Sequence, residues 1–138
     1  MADVFNTDYA EGLVLPMDDE SKIRWDWLET FHYEGPRQRV CYELKEFAAV
    51  CPFSGLPDTG IVLVEYIPRQ KLVELKSLKY YFISFRNVGI FQEAVTARIF
   101  KDLFKLLDPE WLQIRTIYAT RGGIDTTCTV DSKDQDSA

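Results

Sequence analysis

The chain has a single histidine, and that scarcity removes several chemistries at once. A zinc site built from two or three imidazoles of one chain is impossible. A Ser-His-Asp or Cys-His arrangement would have to use His32, and nothing near it in the sequence supplies that role. In the run Phe-His-Tyr, His32 reads as a partly buried ring with a satisfied hydrogen bond. Cysteine is sparse too: Cys41, Cys51 and Cys128 are odd in number and share no short spacing, which argues against a disulfide framework and fits a reducing compartment. Basic residues are outnumbered, 16 against 22 acids, for a net charge of −6. Non-specific nucleic-acid binding rests on neutralising phosphates, so direct contact with nucleic acid is not expected. No apolar run is long enough to span a bilayer, and Met1-Ala-Asp-Val-Phe lacks the basic start and apolar stretch of a signal peptide. A cytoplasmic location without membrane contact is the expectation. There is no repeat at a solenoid period. There is also no G-x-G-x-x-G, so a dinucleotide would not be held in the Rossmann manner.

What is present is a core. The 138 residues are 46% hydrophobic, which suits one globular domain rather than disorder. Residues 1–20 are acidic and irregular and read as a partly ordered arm; residues 21–130 read as the domain, and 131–138 as a polar mobile tail. Residues 39–47 alternate loosely, and residues 60–67 are β-branched and closed by Pro68, so both read as strands. Leu72, Leu75, Leu78 and Phe82 recur at three and four residues, predicting a helix that Asn87-Val-Gly89 breaks. A second helix is predicted from about Phe91 to Leu107. Its stripe is Phe91, Val95, Ile99, Leu103 and Leu106, widened by Phe100, Phe104 and Leu107, and Asp108-Pro109 ends it. Residues 111–118 and 124–130 read as two further strands around a Gly122-Gly123 turn. The order ββααββ predicts an α+β fold, with two helices on one face of a four-stranded antiparallel sheet.

Two segments carry chemistry. Cys51-Pro-Phe-Ser-Gly-Leu-Pro-Asp58 sets a thiol and a carboxylate on either side of a stiff turn. A thiol attacks only as thiolate, and Asp58 alone would oppose that form by charge repulsion, although it could accept the thiol proton and deliver it later. A free cysteine is commonly a small inert core residue, and Cys41 and Cys128, in strand-like contexts, are assigned to packing. The second segment is Glu74-Leu-Lys-Ser-Leu-Lys-Tyr-Tyr81. Lys76 and Lys79 are neighbours on a helix face and could hold phosphates as point charges; by charge alone they also suit a solvated face. Glu74 falls before the helix or in its first turn, where a carboxylate is favoured.

Taken together, Cys51-Pro-x-x-Gly-x-Pro-Asp58, Val73-Glu-Leu-Lys-Ser-Leu-Lys-Tyr-Tyr81, Ser84-Phe-Arg-Asn87 and Arg121-Gly-Gly123 resemble the unimodular QueF-type, NADPH-dependent 7-cyano-7-deazaguanine reductases of queuosine biosynthesis. The resemblance covers roughly Glu46 to Ile124. It implies a tunnelling fold whose subunits pair edge to edge, giving a homo-oligomer of decamer-like ring pairs with sites between subunits. It implies Cys51 as the nucleophile that forms a thioimide on the nitrile, and Asp58 as its proton donor. Glu74 and Glu93 would grip the deazaguanine edge, with Gln92 beside it and the backbone of Val73 and Leu75 nearby. NADPH is the implied cofactor, its phosphates met by Lys76, Lys79 and Arg121, and no metal is implied.

The pattern departs from the family at Gln92, where relatives carry histidine, and at Val88, where many do. Glutamine can hydrogen-bond a substrate but cannot shuttle a proton. Two other readings therefore stand beside the reductase. One is an enzyme of altered chemistry resembling the archaeal amidinotransferases, which use the same cysteine on the same nitrile without a nicotinamide. The other is a non-catalytic oligomer that binds deazapurines or pterins.

Overall fold

The computed structural model describes residues 12–135. Among the described residues, six strands and two α-helices follow in order: β1 (Thr30–His32), β2 (Val40–Val50), β3 (Pro57–Ile67), β4 (Lys71–Val73), α1 (Leu75–Ile83), α2 (Gln92–Leu107), β5 (Trp111–Tyr118) and β6 (Thr127–Asp131). Strands β2, β3, β5 and β6 form one antiparallel sheet in that order, so β2 and β6 are its edges. The ββααββ order of the main sheet thus matches the order read from the sequence. No described helix is long and apolar enough to cross a membrane.

Alternation places the core. Val62, Val64 and Tyr66 of β3, and Leu112 and Ile114 of β5, are buried and meet the buried faces of both helices. The loose alternation of β2 has a cause: its register slips between Leu44 and Phe47. Lys45 and Glu46 both face solvent there, and the inward series resumes at Phe47. Phe47 then lies edge-on to Phe82 and Phe85, with ring centroids 6.1 and 5.4 Å apart, and so ties the sheet to α1.

The helices begin and end for local reasons. Glu74 caps α1, its carboxylate accepting from the N–H groups of Lys76 and Ser77. At the other end of the pair, Asp108 takes a left-handed conformation, donates its N–H to the Phe104 carbonyl, and precedes Pro109. The buried face of α2 is Val95, Thr96, Ile99, Leu103 and Leu107. The expected stripe is thus rotated slightly. Phe91 and Phe104 are exposed, Phe104 stacking on Phe100, and the polar Thr96 enters the core because Thr116 meets its hydroxyl at 2.6 Å.

Two expectations need correction. Leu72 is not helical: residues 71–73 pair with residues 30–32 in a separate two-stranded ribbon, and α1 starts only at Leu75. His32 lies in that ribbon with its side chain mostly in solvent and not partly buried, while its Nε2 does have a polar partner, Glu34 at 2.9 Å.

Both ends of the described chain are bonded to the domain. Leu15 donates its N–H to the Ser54 carbonyl, and Asp18 donates to Asn87 while accepting from Gly89. At the other end, Asp131 is buried, its carboxylate accepting from Trp111 Nε1 at 2.9 Å and Gln113 Nε2 at 3.0 Å, and residues 132–134 form a 3-10 turn. Residues 1–11 of the expected arm and 136–138 of the expected tail lie outside the described residues.

Candidate active site

The hairpin between β2 and β3 pairs Val50 with Pro57 and Ala49 with Asp58, leaving residues 51–56 as its loop. The loop is closed twice: Cys51 donates its N–H to the Leu56 carbonyl at 2.9 Å, and Gly55 donates to the Cys51 carbonyl at 2.8 Å. Gly55 has a φ of 73°, and a Cβ there would stand 2.5 Å from the Leu15 carbonyl oxygen, so the turn requires glycine. Asp58 therefore belongs to the start of a strand. Its inward alternation buries it to 4% exposure.

A second segment is laid against this hairpin. Val50 donates to the Val88 carbonyl and accepts from Ile90, so residues 88–90 run beside the end of β2. Val88 itself is fully buried. This strap delivers Phe91, Gln92 and Glu93, the entry to α2, to the cysteine. A third piece, the turn after β5, is closed by reciprocal backbone hydrogen bonds between Arg121 and Ile124, with Gly122 and Gly123 in left-handed conformations.

These three pieces enclose a cavity of about 400 Å³ lined by Cys51, Asp58, Gln92, Glu93 and Arg121, among others. Arg121 is half-exposed, and its Nη1 pairs with Oδ1 of Asp58. Burial raises the Cys51 thiol, but the N–H groups of Phe53 and Ser54, the Ser54 hydroxyl and the Arg121 guanidinium outweigh it, and the thiol sits below its ordinary value. Arg121 is raised, chiefly by its bond to Asp58. Behind the cavity, burial holds the Tyr118 hydroxyl neutral far above its ordinary range, and that hydroxyl points toward the Gln92 carbonyl.

The other expected residues lie elsewhere on the chain. Glu74, Lys76 and Ser77 line a second cavity of about 640 Å³ with Asp26, Trp27, Glu29 and Tyr80. The β1–β4 ribbon builds it: Glu74 donates its N–H to the Glu29 carbonyl, and Glu29 donates to Ser77 Oγ. Glu74 is pulled below its ordinary value by the Ser77 and Lys76 N–H groups. Lys79 lines a third, apolar cavity with Leu75, Leu78 and Phe82. Val73 is buried and gives its N–H to the Tyr66 hydroxyl at 3.2 Å. The sequence reading missed Trp27 and Glu29, whose 3-10 and ribbon contacts have no periodic signature, and gave no separate role to Tyr80 within the Glu74–Tyr81 motif. It placed Arg121 with the lysines, whereas the fold places it on Asp58.

Known proteins resemble this chain over most of its length. A family profile described as "QueF-like protein" matches residues 57–137. The NADPH-dependent 7-cyano-7-deazaguanine reductase of Thermotoga petrophila is 51% identical over 124 residues, covering 89% of this chain and 90% of its own. That of Caldicellulosiruptor bescii is 51% identical over 107 residues, covering 76% and 82%. A crystal structure of the archaeosine synthase QueF-Like in the apo form superposes with a TM-score of 0.62 at 22% identity, over 72% of this chain and 96% of that one, a likeness of fold. With half of its residues shared over nearly the full length of both chains, the protein belongs to the family of NADPH-dependent 7-cyano-7-deazaguanine reductases.

Proposed function

We propose that this chain reduces 7-cyano-7-deazaguanine to 7-aminomethyl-7-deazaguanine, in queuosine biosynthesis, through a covalent thioimide on Cys51. The observation that carries the reading is the cavity lined by both a lowered thiol and a buried carboxylate, in a chain with this family membership. A nitrile carbon is a weak electrophile and needs a strong nucleophile held close. Cys51 sulfur bonds to that carbon, and Asp58 hands a proton to the nitrogen. When the reduced adduct collapses, the C–S bond breaks and Cys51 leaves as thiolate. Glu93, exposed at the entry to α2, accepts hydrogen bonds from the deazaguanine edge, and Gln92 orients the ring.

The residues present fit NADPH. Lys76 and Lys79 project from exposed positions on α1, and neither is ion-paired among the described residues. Two such ammonium groups suit phosphate oxygens. The cofactor, when bound, supplies hydride, and a nitrile-to-amine reduction consumes it twice.

Glu74 and Glu93 line different cavities of one chain. A site that uses both is completed by a second subunit. The tunnelling fold supplies the means, since β2 and β6 present unpaired edges through which subunits join into rings. Such an oligomer works in the cytoplasm on a small molecule.

The test is NADPH oxidation by the purified chain with and without 7-cyano-7-deazaguanine. Nitrile-dependent oxidation at two NADPH per amine is expected. Adduct formation on Cys51 without oxidation would turn the reading toward an amidinotransferase-like enzyme; neither signal would turn it toward a binding protein.

A further inference from the structure

The geometry points to Arg121 as a third catalytic residue, a guanidinium bonded to Asp58 in the cavity that Cys51 also lines, which keeps the group neutral while one proton passes from sulfur to carboxyl to the nitrile nitrogen. A thiol beside a buried carboxylate is a poor arrangement for a thiolate, because two anions would share one cavity. Arg121 removes that conflict. Its Nη1 is bonded to Asp58 Oδ1, and it lines the same cavity as Cys51. Thiol with carboxylate and thiolate with carboxylic acid then have the same total charge, zero with the guanidinium included. Moving the proton between them creates no net buried charge. A planar fork presents several donors in fixed geometry, so it can serve two anions while staying in place, whereas an ammonium acts as a point charge on a flexible stem.

The step balances without any further reagent. The S–H proton goes to Asp58, the sulfur lone pair forms the S–C bond, one π bond of the nitrile breaks, and its nitrogen takes the proton from Asp58. The loop geometry suits this role, since the reciprocal Arg121–Ile124 hydrogen bonds and two left-handed glycines form a tight turn from which the half-exposed Arg121 side chain reaches Asp58. The other titratable group lining the cavity is Glu93 from α2; outside its lining, Tyr118 of β5, which stays neutral, feels the charges of Asp58, Glu93 and Cys128 of β6. Arg121 is the cation among the residues lining the cavity. The lowered thiol and the raised guanidinium accord with this arrangement.

This inference rests on the reductase reading for the identity of the nitrile, so the test has one arm that uses neither nitrile nor NADPH. The full chain is alkylated with iodoacetamide across pH, and labelling of Cys51 is followed by peptide mass spectrometry, with Cys41 and Cys128 as internal references. Arg121→Met is expected to raise the Cys51 midpoint and slow its labelling at neutral pH about tenfold, one pKa unit being one decade in thiolate. Asp58→Asn is expected to lower the midpoint. In the second arm, the thioimide is formed from 7-cyano-7-deazaguanine without NADPH. Arg121→Met slows it about tenfold or more, and Arg121→Lys, which keeps the charge but loses the fork, slows it by a smaller factor of about three. A wild-type labelling profile and adduct rate in Arg121→Met, or a wild-type adduct rate in Arg121→Lys should the methionine variant not fold, overturns the inference. A raised KM for NADPH as the sole change overturns it too, by assigning Arg121 to the cofactor. A shifted labelling profile in a chain that never oxidises NADPH keeps the neutral trio and sinks the reductase reading instead.

Discussion

Glu74 and Ser77 cap α1 reciprocally: the Glu74 carboxylate accepts from the Ser77 N–H at 2.6 Å, and the Ser77 hydroxyl returns a bond to the Glu74 carbonyl at 2.7 Å. The carboxylate proposed to hold the substrate is therefore also the helix cap, and the two roles separate by substitution. Glu74→Gln keeps a carbonyl oxygen for the N–H groups but loses the charge that an amidine-like edge selects. It is expected to leave Tm within about 2 °C of wild type, a small change for a chain of this size, while weakening nitrile binding at least tenfold. Glu74→Ala loses both functions. Because the Ser77 and Lys76 N–H groups depress this carboxyl in the folded chain, its contribution is complete above the ordinary glutamate range and fades as pH falls through the lowered value. Acid unfolding of Glu74→Gln should accordingly show a shallower pH dependence there than wild type, and equal slopes would remove the linkage.

Cys51 and Asp58 make different demands on the same assay. Cys51→Ala is expected to abolish both the covalent adduct and turnover, since no other described thiol lines the cavity. Asp58→Asn keeps the nucleophile and loses the proton carrier, so adduct formation slows by about 10²–10⁴, the usual worth of a positioned acid or base. Intact-mass measurement of the nitrile adduct, alongside NADPH oxidation, separates the two. Turnover retained in Cys51→Ala would end the thioimide mechanism.

The fold was legible where burial is periodic. The β2 bulge showed in the sequence only as loose alternation over residues 39–47, which the successive exposed Lys45 and Glu46 explain. Asp108-Pro109 announced the end of α2 through backbone geometry alone. The β1–β4 ribbon was not legible, because three-residue strands carry too little alternation and Leu72 happens to fall in step with the helix that follows. His32 misled for a similar reason: flanking aromatics suggest burial, yet Phe31 beside it is half-exposed. At the site, Cys51 and Asp58 were legible as one stiff turn. The pairing of Arg121 with Asp58 joins residues 63 apart in the chain and depends on β3 and β5 being neighbours, which no local pattern encodes.

Thr96 and Thr116 hold α2 to β5 through a hydroxyl contact of 2.6 Å inside the core, directly beneath the Gln92 carbonyl that Thr96 also reaches at 3.2 Å. Thr96→Val removes that partner and strands the buried Thr116 hydroxyl, at a cost of about 1–3 kcal/mol. The double variant Thr96→Val, Thr116→Val strands nothing and should recover most of the loss. Denaturant unfolding of the three variants forms a double-mutant cycle. A double variant as unstable as the sum of the singles would mean that packing, and not the hydroxyl pair, holds the helix.

Gln92 opens α2 in the Cys51 cavity, at the position where the sequence resemblance implies an imidazole. A glutamine there can orient the substrate but adds no proton transfer, so the wild-type rate should show no inflection belonging to this position. Gln92→His places a titrating ring at a helix N-terminus, where the positive end of the helix disfavours the imidazolium and lowers its pKa. The variant is expected to keep turnover and to gain an inflection in kcat/KM below about pH 6.5, the ordinary histidine value. If the missing imidazole limits this chain, kcat also rises on the neutral side of that inflection. An unchanged kcat with the inflection present would show that Asp58 carries the proton unaided and that Gln92 serves only to position the ring. A profile identical to wild type in both respects would mean that residue 92 does not face the reacting atoms.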